Sequence, residues 1–199
     1  MVKIKIKKED WQTFFDRETE RLFRKRGVIL DIGGGHPYQK ELESITRKHR
    51  AVYISLDYVL STQPHIVGDG HLLPIRTKTV DTVILKSVLE HVANPFKIMD
   101  EVYRVLKPGG VLLLWVPFLF PYHAAPRYKD YYRFSQDGIV EILRDFSQLT
   151  LIPTRGYCET LINLLPTGVS QWLKYPAILL DRLYPVKQQH SGFGALAAK

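Results

Sequence analysis

The segment Val28-Ile29-Leu30-Asp31-Ile32-Gly33-Gly34-Gly35-His36-Pro37 constrains the fold more than any other part of the chain. An apolar run rich in β-branched residues suits a strand buried on both faces of a parallel sheet. It ends in an acid and three consecutive glycines, which permit a tight turn and a close approach of backbone to a ligand. A helix is expected next, with its first N–H groups directed back at that ligand. A second apolar run, Ala51-Val52-Tyr53-Ile54-Ser55-Leu56, ends at Asp57. That is the distance at which nucleotide-binding sheets place a ribose-binding carboxylate.

The glycine spacing excludes two common cofactor loops. A nicotinamide-dinucleotide turn needs glycines at its first, third and sixth positions, and the sixth position here is Tyr38. A triphosphate cradle needs a Gly-Lys-Ser/Thr ending, which is absent. The turn is therefore not built for a pyrophosphate, and Asp31 ahead of it suits a cationic or amine-bearing ligand.

Strands and helices alternate through the first two thirds of the chain. Helices are expected over 9–26, 37–48 and from Pro95, with Asn94 as cap and Lys107-Pro108-Gly109-Gly110 as the stop. Strands are expected over 28–32, 51–56, 65–67, 79–86 and 111–116. This alternation predicts an α/β fold, a doubly wound, Rossmann-like, mostly parallel sheet with helices on both faces. Ligands of such sheets bind beyond the carboxyl ends of the strands. Asp31, Asp57, Asp69, Lys86 and Pro117 all stand at those ends. Beyond Pro117 the pattern changes to a loop dense in aromatics and prolines over 117–134. A helix from Ser135 to Arg144, a strand near 148–155, an apolar tail over 158–187 and a last strand over 192–198 follow.

With 199 residues the chain fits one domain. It reads as a helical extension over 1–26, a cofactor-binding core over 27–117 and a substrate side over 118–199. The net charge is +8, but the basic residues are dispersed and no nucleic-acid motif accompanies them, so nucleic acid is not an expected partner. The lone cysteine, Cys158, permits no internal disulfide and fits a cytoplasmic setting. The basic N-terminus is followed by no apolar signal core, and no run approaches the ~18 apolar residues of a membrane span. The seven histidines form no metal-ligand spacing, so no metal is expected.

Four motifs in order resemble the class I S-adenosylmethionine-dependent methyltransferases, in particular their small type 11 subfamily. Val28–Gly35 is similar to the first motif and Leu56-Asp57 to the second. Val67-Gly68-Asp69-Gly70-His71-Leu72-Leu73-Pro74 is similar to the third. Asp81–Ile84, Leu89-Glu90-His91-Val92 and Leu106–Gly110 are similar to the strand-helix-strand that follows. The resemblance covers residues 28 to about 117, and one family glycine is replaced by Pro37.

The resemblance implies the fold expected above, S-adenosyl-L-methionine as cofactor, and a set of cofactor residues. Asp31 would meet the amine of the cofactor, directly or through water, and Gly33, Gly34 and Gly35 would form the turn beside it. Asp57 would accept from the ribose hydroxyls, with Tyr58 adjacent. Asp69 would meet the adenine amino group, or else serve as an Asx-turn residue. Gly70, His71 and Leu72 would flank the adenine, and Lys86 and Ser87 would line the cofactor by main chain. Glu90 and His91 open the next helix, in a cofactor-side or a structural role.

The candidate catalytic residues are His123, Tyr131 and Arg133. His123 is the candidate general base because its ordinary pKa lies near neutrality. Tyr131 and Arg133 belong to an Asp-Tyr-Tyr-Arg-Phe segment that resembles members linked with sugar or polysaccharide modification. Arg127 and Arg133 suit a phosphate or carboxylate. The implied reaction is methyl transfer to a small-molecule acceptor such as a sugar, a nucleotide-sugar or a lipid-linked glycan. The alternatives are an RNA or protein methyltransferase and a non-catalytic cofactor-binding scaffold. An Asn-Pro-Pro-Phe/Tyr motif is absent where Lys86-Ser87-Val88-Leu89 stands, which weighs against amino-group methylation on bases. The tail places Trp172, Tyr175 and Tyr184 beside Lys174, Arg182 and Lys187, which suits a peripheral membrane contact. A helical lid packed on the sheet is the competing expectation. Oligomeric state is not readable from the sequence.

Overall fold

The computed structural model describes residues 3–7, 9–34, 38–184, 186 and 189–199. Among them eight strands form one mixed sheet. They are β1 (Lys3–Ile6), β2 (Val28–Ile32), β3 (Val52–Asp57), β4 (Ile66–Val67), β5 (Val80–Lys86), β6 (Leu106–Pro117), β7 (Gln148–Thr154) and β8 (Gly192–Ala198). Their spatial order is β1-β7-β8-β6-β5-β2-β3-β4. All pairs are parallel except those of β8, which runs antiparallel between β6 and β7. The mostly parallel, doubly wound α/β sheet expected from the alternation is therefore present.

Burial follows the sequence pattern. The middle of β2, β5 and β6 is apolar and buried on both sides, as a central parallel strand requires. Helix α3 (Pro95–Val105) and the shorter α4 (Gln136–Ile142) cover one face through Ile98, Met99, Val102, Ile139 and Ile142. Helix α1 (Trp11–Phe23) and α2 (Tyr38–His49) cover the other, where Phe14, Phe15, Phe23 and Leu42 meet Ile29, Ile84 and Leu113. The starts of α1 and α3 carry side-chain caps. Thr13 donates its N–H to Asp10 Oδ1 at 2.9 Å, and Lys97 donates to Asn94 Oδ1 at 3.1 Å. The Asp10 cap explains why α1 begins at Trp11 and not at residue 9.

Three elements differ from the sequence expectation. Lys3–Ile6 forms an edge strand on β7, and its alternating lysines are exposed, as an unpaired edge requires. Strand β6 begins at Leu106, within the Lys-Pro-Gly-Gly stop: Gly109 takes φ +75° and donates to Lys199 O, while Lys199 donates to Gly110 O, so pairing carries the breaker residues into the sheet. Glu90 and His91 lie in a 3₁₀ turn, Leu89–His91, ahead of α3 rather than in the helix itself.

The apolar tail forms two helices, α5 (Tyr157–Asn163) and α6 (Thr167–Leu183), that contact each other. Asp181 on α6 caps α5 by accepting from the N–H groups of Cys158 and Glu159 at 2.8 and 2.9 Å. Most of α6 is exposed, with Trp172 at 86%. The lid expected to pack on the sheet is thus a helical hairpin leaning mainly on itself. No helix among the described residues is long and apolar enough to cross a membrane.

Candidate active site

The carboxyl ends of β2, β3, β4, β5 and β6 open onto a cavity of about 660 Å³. The turn after β2 forms its floor. Gly33 has φ +75° and donates its N–H to Leu56 O at 2.7 Å. A Cβ there would lie 2.5 Å from Val88 Cγ2, and one on Gly34 would lie 2.2 Å from Asp31 Oδ2. Both glycines are required by close approach. Gly35 and Pro37 fall outside the described residues.

Asp31 sits beneath this turn, not on the cavity wall. It is 2% exposed and accepts a 2.7 Å hydrogen bond from the Tyr53 hydroxyl. Burial pushes its carboxyl up to about 7, and neighbouring Asp57 adds to the rise, while Tyr53 and Lys86 oppose it.

Asp57 ends β3 on the wall, with Oδ1 accepting from Val59 N–H at 2.9 Å. Tyr58 lines the cavity beside it and donates its hydroxyl hydrogen to Arg127 O in the loop after β6. Asp69 follows β4. It accepts from the His71 N–H at 2.9 Å, and this bond holds its carboxyl below the usual range. The Asx-turn geometry is therefore present, and Asp69, Gly70 and His71 also face the cavity. Leu72 is 75% exposed and is not among the lining residues. Ser87 lines the cavity with φ +56°, its N–H on Trp115 O. The Lys86 side chain is directed the other way, its ammonium 4.7 Å from the Phe15 ring of α1. Only main chain from Lys86 is thus available to this edge.

The loop 118–134 folds over the opposite wall. Phe134 donates to Pro117 O at 2.8 Å and closes its base. Arg133 organises the interior. It holds both Asp130 oxygens and donates to the carbonyls of Phe120, Pro121 and Tyr132. Asp130 is held far below the usual carboxylate range, chiefly by Arg133. Asp130 also accepts from the His123 N–H at 2.8 Å. So Arg133, a candidate catalytic residue in the sequence, lies behind the wall and shapes the loop. His123 and Tyr131 line the cavity.

Sequence reasoning left several wall residues without a role. Trp115, Phe120 and Tyr128 add flat aromatic surface beside Tyr131. His91 stands 4.8 Å from His123, ring to ring, and 4.4 Å from Tyr128. Glu90 is fully buried behind them, and burial pushes its carboxyl up to about 8. Alternating aromatics in the loop were a signal for the wall. Nothing in the spacing of Glu90, His91 and His123 foretold that they converge.

An acid at a strand end able to accept from two vicinal hydroxyls, a second acid with ordered backbone, and a glycine turn over a buried acid suit a nucleoside with an amino-acid tail. The sheet order and this edge resemble those of the class I methyltransferases. Residues 30–114 match the model of a family described as a methyltransferase domain, Methyltransf_11. That stretch, a little under half of the chain, is thus similar to a type 11 methyltransferase domain of the S-adenosylmethionine-dependent class.

Relatives agree with this assignment. A "Probable S-adenosylmethionine-dependent methyltransferase" of Mycolicibacterium smegmatis is 34% identical over 99 residues, 45% of this chain and 37% of its own length. An "Uncharacterized methyltransferase" of Mycolicibacterium vanbaalenii is 42% identical over 99 residues, 44% of this chain and 38% of its own. The chain thus spans well under half the length of these relatives. Among solved structures, a SAM-dependent methyltransferase from Archaeoglobus fulgidus superposes with a TM-score of 0.63 at 16% identity, covering 96% of this chain and all of the other. A Haemonchus contortus phosphoethanolamine N-methyltransferase 2 in complex with S-adenosyl-L-methionine superposes at 0.53 with 14% identity, over 92% of this chain and 52% of that one.

Proposed function

We propose that the protein is an S-adenosylmethionine-dependent methyltransferase acting on a small, hydroxyl-rich acceptor such as a sugar, a nucleotide-sugar or a lipid-linked glycan. One observation carries this reading: Asp57, Asp69 and the Gly33 turn meet His123 and Tyr131 around a single cavity. A pocket of this size is ordinary for a cofactor with a small second ligand. When bound, the cofactor supplies an electrophilic methyl group on a sulfonium.

The chain's own residues then bind, orient and exclude water. Asp57 accepts from the ribose hydroxyls, with Tyr58 alongside. Asp69, Gly70 and His71 border the adenine, and Leu72 stands outside the cavity. The Gly33–Gly34 turn carries the amino-acid end, with Asp31 below it as the buried acid. Ser87 and the main chain of Lys86 flank the transfer centre. On the acceptor side, Trp115, Phe120, Tyr128 and Tyr131 offer flat surfaces to a sugar ring. His123 lines the acceptor side, and Arg133 positions it through Asp130. Correct in-line placement supplies most of what such a transfer needs.

Calorimetric titration with S-adenosylmethionine and S-adenosylhomocysteine, with NAD as control, tests the cofactor. Micromolar binding that Asp57→Ala removes supports the reading. A folded protein that binds neither ligand sinks it and leaves a scaffold role.

The exposed face of α6 favours an additional reading, contact with an anionic membrane surface. Trp172, Tyr175, Leu179 and Leu183 are all exposed beside Lys174 and Arg182. Sedimentation with phosphatidylglycerol-containing liposomes checks this, and a protein that stays in the supernatant at low salt defeats it.

A further inference from the structure

Glu90 is anomalous in its surroundings. Its side chain is 0% exposed, and neither carboxylate oxygen has a hydrogen-bond partner among the described residues. Buried polar groups are ordinarily paired, and an unpaired carboxylate is among the costliest to bury. Yet Glu90 is firmly placed. Its carbonyl accepts from the N–H groups of Tyr131 and Tyr132 at 2.7 and 3.3 Å, which staples the loop 118–134 to the turn after β5.

What Oε1 faces are two imidazole nitrogens, His123 Nε2 at 3.7 Å and His91 Nε2 at 3.8 Å. Both separations are too long for a hydrogen bond. The tautomers follow from the other ring nitrogens. His91 Nδ1 lies 2.6 Å from Lys129 O, and a carbonyl can only accept, so Nδ1 carries the hydrogen. His123 Nδ1 lies 3.0 Å from Pro121 O and 3.2 Å from Asp130 Oδ2, two more acceptors. Each imidazole therefore turns an Nε2 lone pair toward the carboxylate. Three groups that can each offer a lone pair to a metal ion converge within 4.8 Å of one another. Imidazoles whose Nδ1–H is held by a carbonyl or carboxylate are the usual arrangement of metal-binding histidines.

We infer that Glu90, His91 and His123 bind one first-row divalent metal ion, whose remaining coordination positions face the cavity and take an oxygen of the acceptor. A tetrahedral ion with bonds near 2.1 Å sets its ligands roughly 3.4 Å apart. The two contacts to Glu90 are a few tenths of an ångström wider than that, while the full set spans up to 4.8 Å, so binding draws the two imidazoles together by about 1 Å through side-chain rotation. Two imidazoles and one carboxylate suit zinc, cobalt or manganese better than calcium or magnesium, which prefer oxygen alone. Three protein ligands leave at least one position open. His91 and His123 also line the cavity, so that position is reachable by a hydroxyl or carboxylate of the acceptor. The acceptor oxygen then meets the ion rather than the His123 lone pair, which gives direct proton abstraction by His123 no place. The acceptor half of the inference rests on the methyltransferase reading, and the metal half does not.

The test uses the untagged full chain, stripped with EDTA and titrated with CoCl2 by visible absorption and with ZnCl2 by calorimetry. The expected result is one equivalent per chain, with visible bands of nitrogen- and oxygen-ligated cobalt. His91→Ala, His123→Ala and Glu90→Gln should each weaken uptake by about tenfold or more. Thermal melts establish that each variant folds. If Glu90→Gln does not, the two histidine variants decide, because their side chains are partly exposed. A folded wild type that takes up neither ion at about 0.1 mM, or binding that is unchanged in the folded variants, overturns the site. S-adenosylhomocysteine titrated into the stripped wild type scores the methyltransferase reading separately. Its binding without metal uptake overturns only the metal site, and metal uptake without its binding overturns only the methyltransferase reading.

Discussion

Asp31→Asn should make the ligand-free protein more stable, and by an amount that grows with pH. The unfolded carboxyl titrates near 3.8, whereas burial holds the folded one at about 7. Between these values the folded state keeps a proton that the unfolded chain has lost. Stability therefore falls as pH rises through this window and levels off above it. Each pH unit is worth about 1.4 kcal/mol, so the wild type has lost roughly 4 kcal/mol from this group by pH 8 and under half of that at pH 5. Asparagine cannot ionise and so loses none of it. Its side-chain oxygen can still accept from Tyr53, as Asp31 Oδ2 does, but its amide hydrogens need acceptors in a buried place, at a pH-independent cost of about 1–3 kcal/mol. The pH-dependent part is the informative one. The stability difference between variant and wild type should move by about 3 kcal/mol in favour of the variant between pH 5 and pH 8. Urea unfolding at the two pH values, without ligand, measures it directly. A difference that stays constant within about 1 kcal/mol would mean that Asp31 is ionised at neutral pH, and the reasoning from burial fails.

Further outcomes follow from the same geometry. Gly33→Ala forces a side chain onto φ +75° and against Val88, so it should lower stability by about 1–3 kcal/mol and abolish S-adenosylhomocysteine binding in calorimetry; normal binding would refute the close-approach argument. Lys86→Met should change that affinity by less than about threefold, because the ammonium lies over Phe15 and away from the cavity; a tenfold loss would return the side chain to the site. Arg133→Met strands the buried Asp130 carboxylate, so it should cost about 2 kcal/mol or more in urea unfolding at pH 7; because Asp130 is held low, the difference should shrink as pH falls below 4. Trp172→Ala should leave stability within about 0.5 kcal/mol, since the ring is 86% exposed, while reducing any liposome association; a large destabilisation would place α6 against the body of the protein.

The sheet was legible because its signals are local. The run Val28–Ile32, the acid after β3 and the cap at Asn94 each declare an element within a few residues. The edge that holds the cavity was legible for the same reason, since strand ends in a parallel sheet share one side. What stayed hidden depends on contacts distant in sequence. Lys3–Ile6 becomes a strand only because β7, more than 140 residues later, offers a free edge. Leu106–Gly110 joins β6 because Val80 of β5 pairs with Leu106 and because Lys199, at the far end of the chain, exchanges hydrogen bonds with Gly109 and Gly110. His123 and Glu90 carry no common spacing, and Arg133 draws His123 inward through Asp130. Lys86 stood at the right strand end, but the alternation of side chains sends it to the α1 face.

The α5–α6 hairpin leaves and re-enters the sheet at one point. Thr154 and Gly192 are direct partners in the β7–β8 ladder, and Ser191 donates its N–H to Thr154 O at 3.0 Å. In topological terms, residues 155–191 are therefore one very long hairpin loop whose two ends are already clamped together. The entropy of closing such a loop rises only logarithmically with its length, about 0.6 kcal/mol per doubling. Segments of other lengths and surfaces could occupy this gap at little expense to the sheet, which makes it an exchangeable cassette on an otherwise fixed frame.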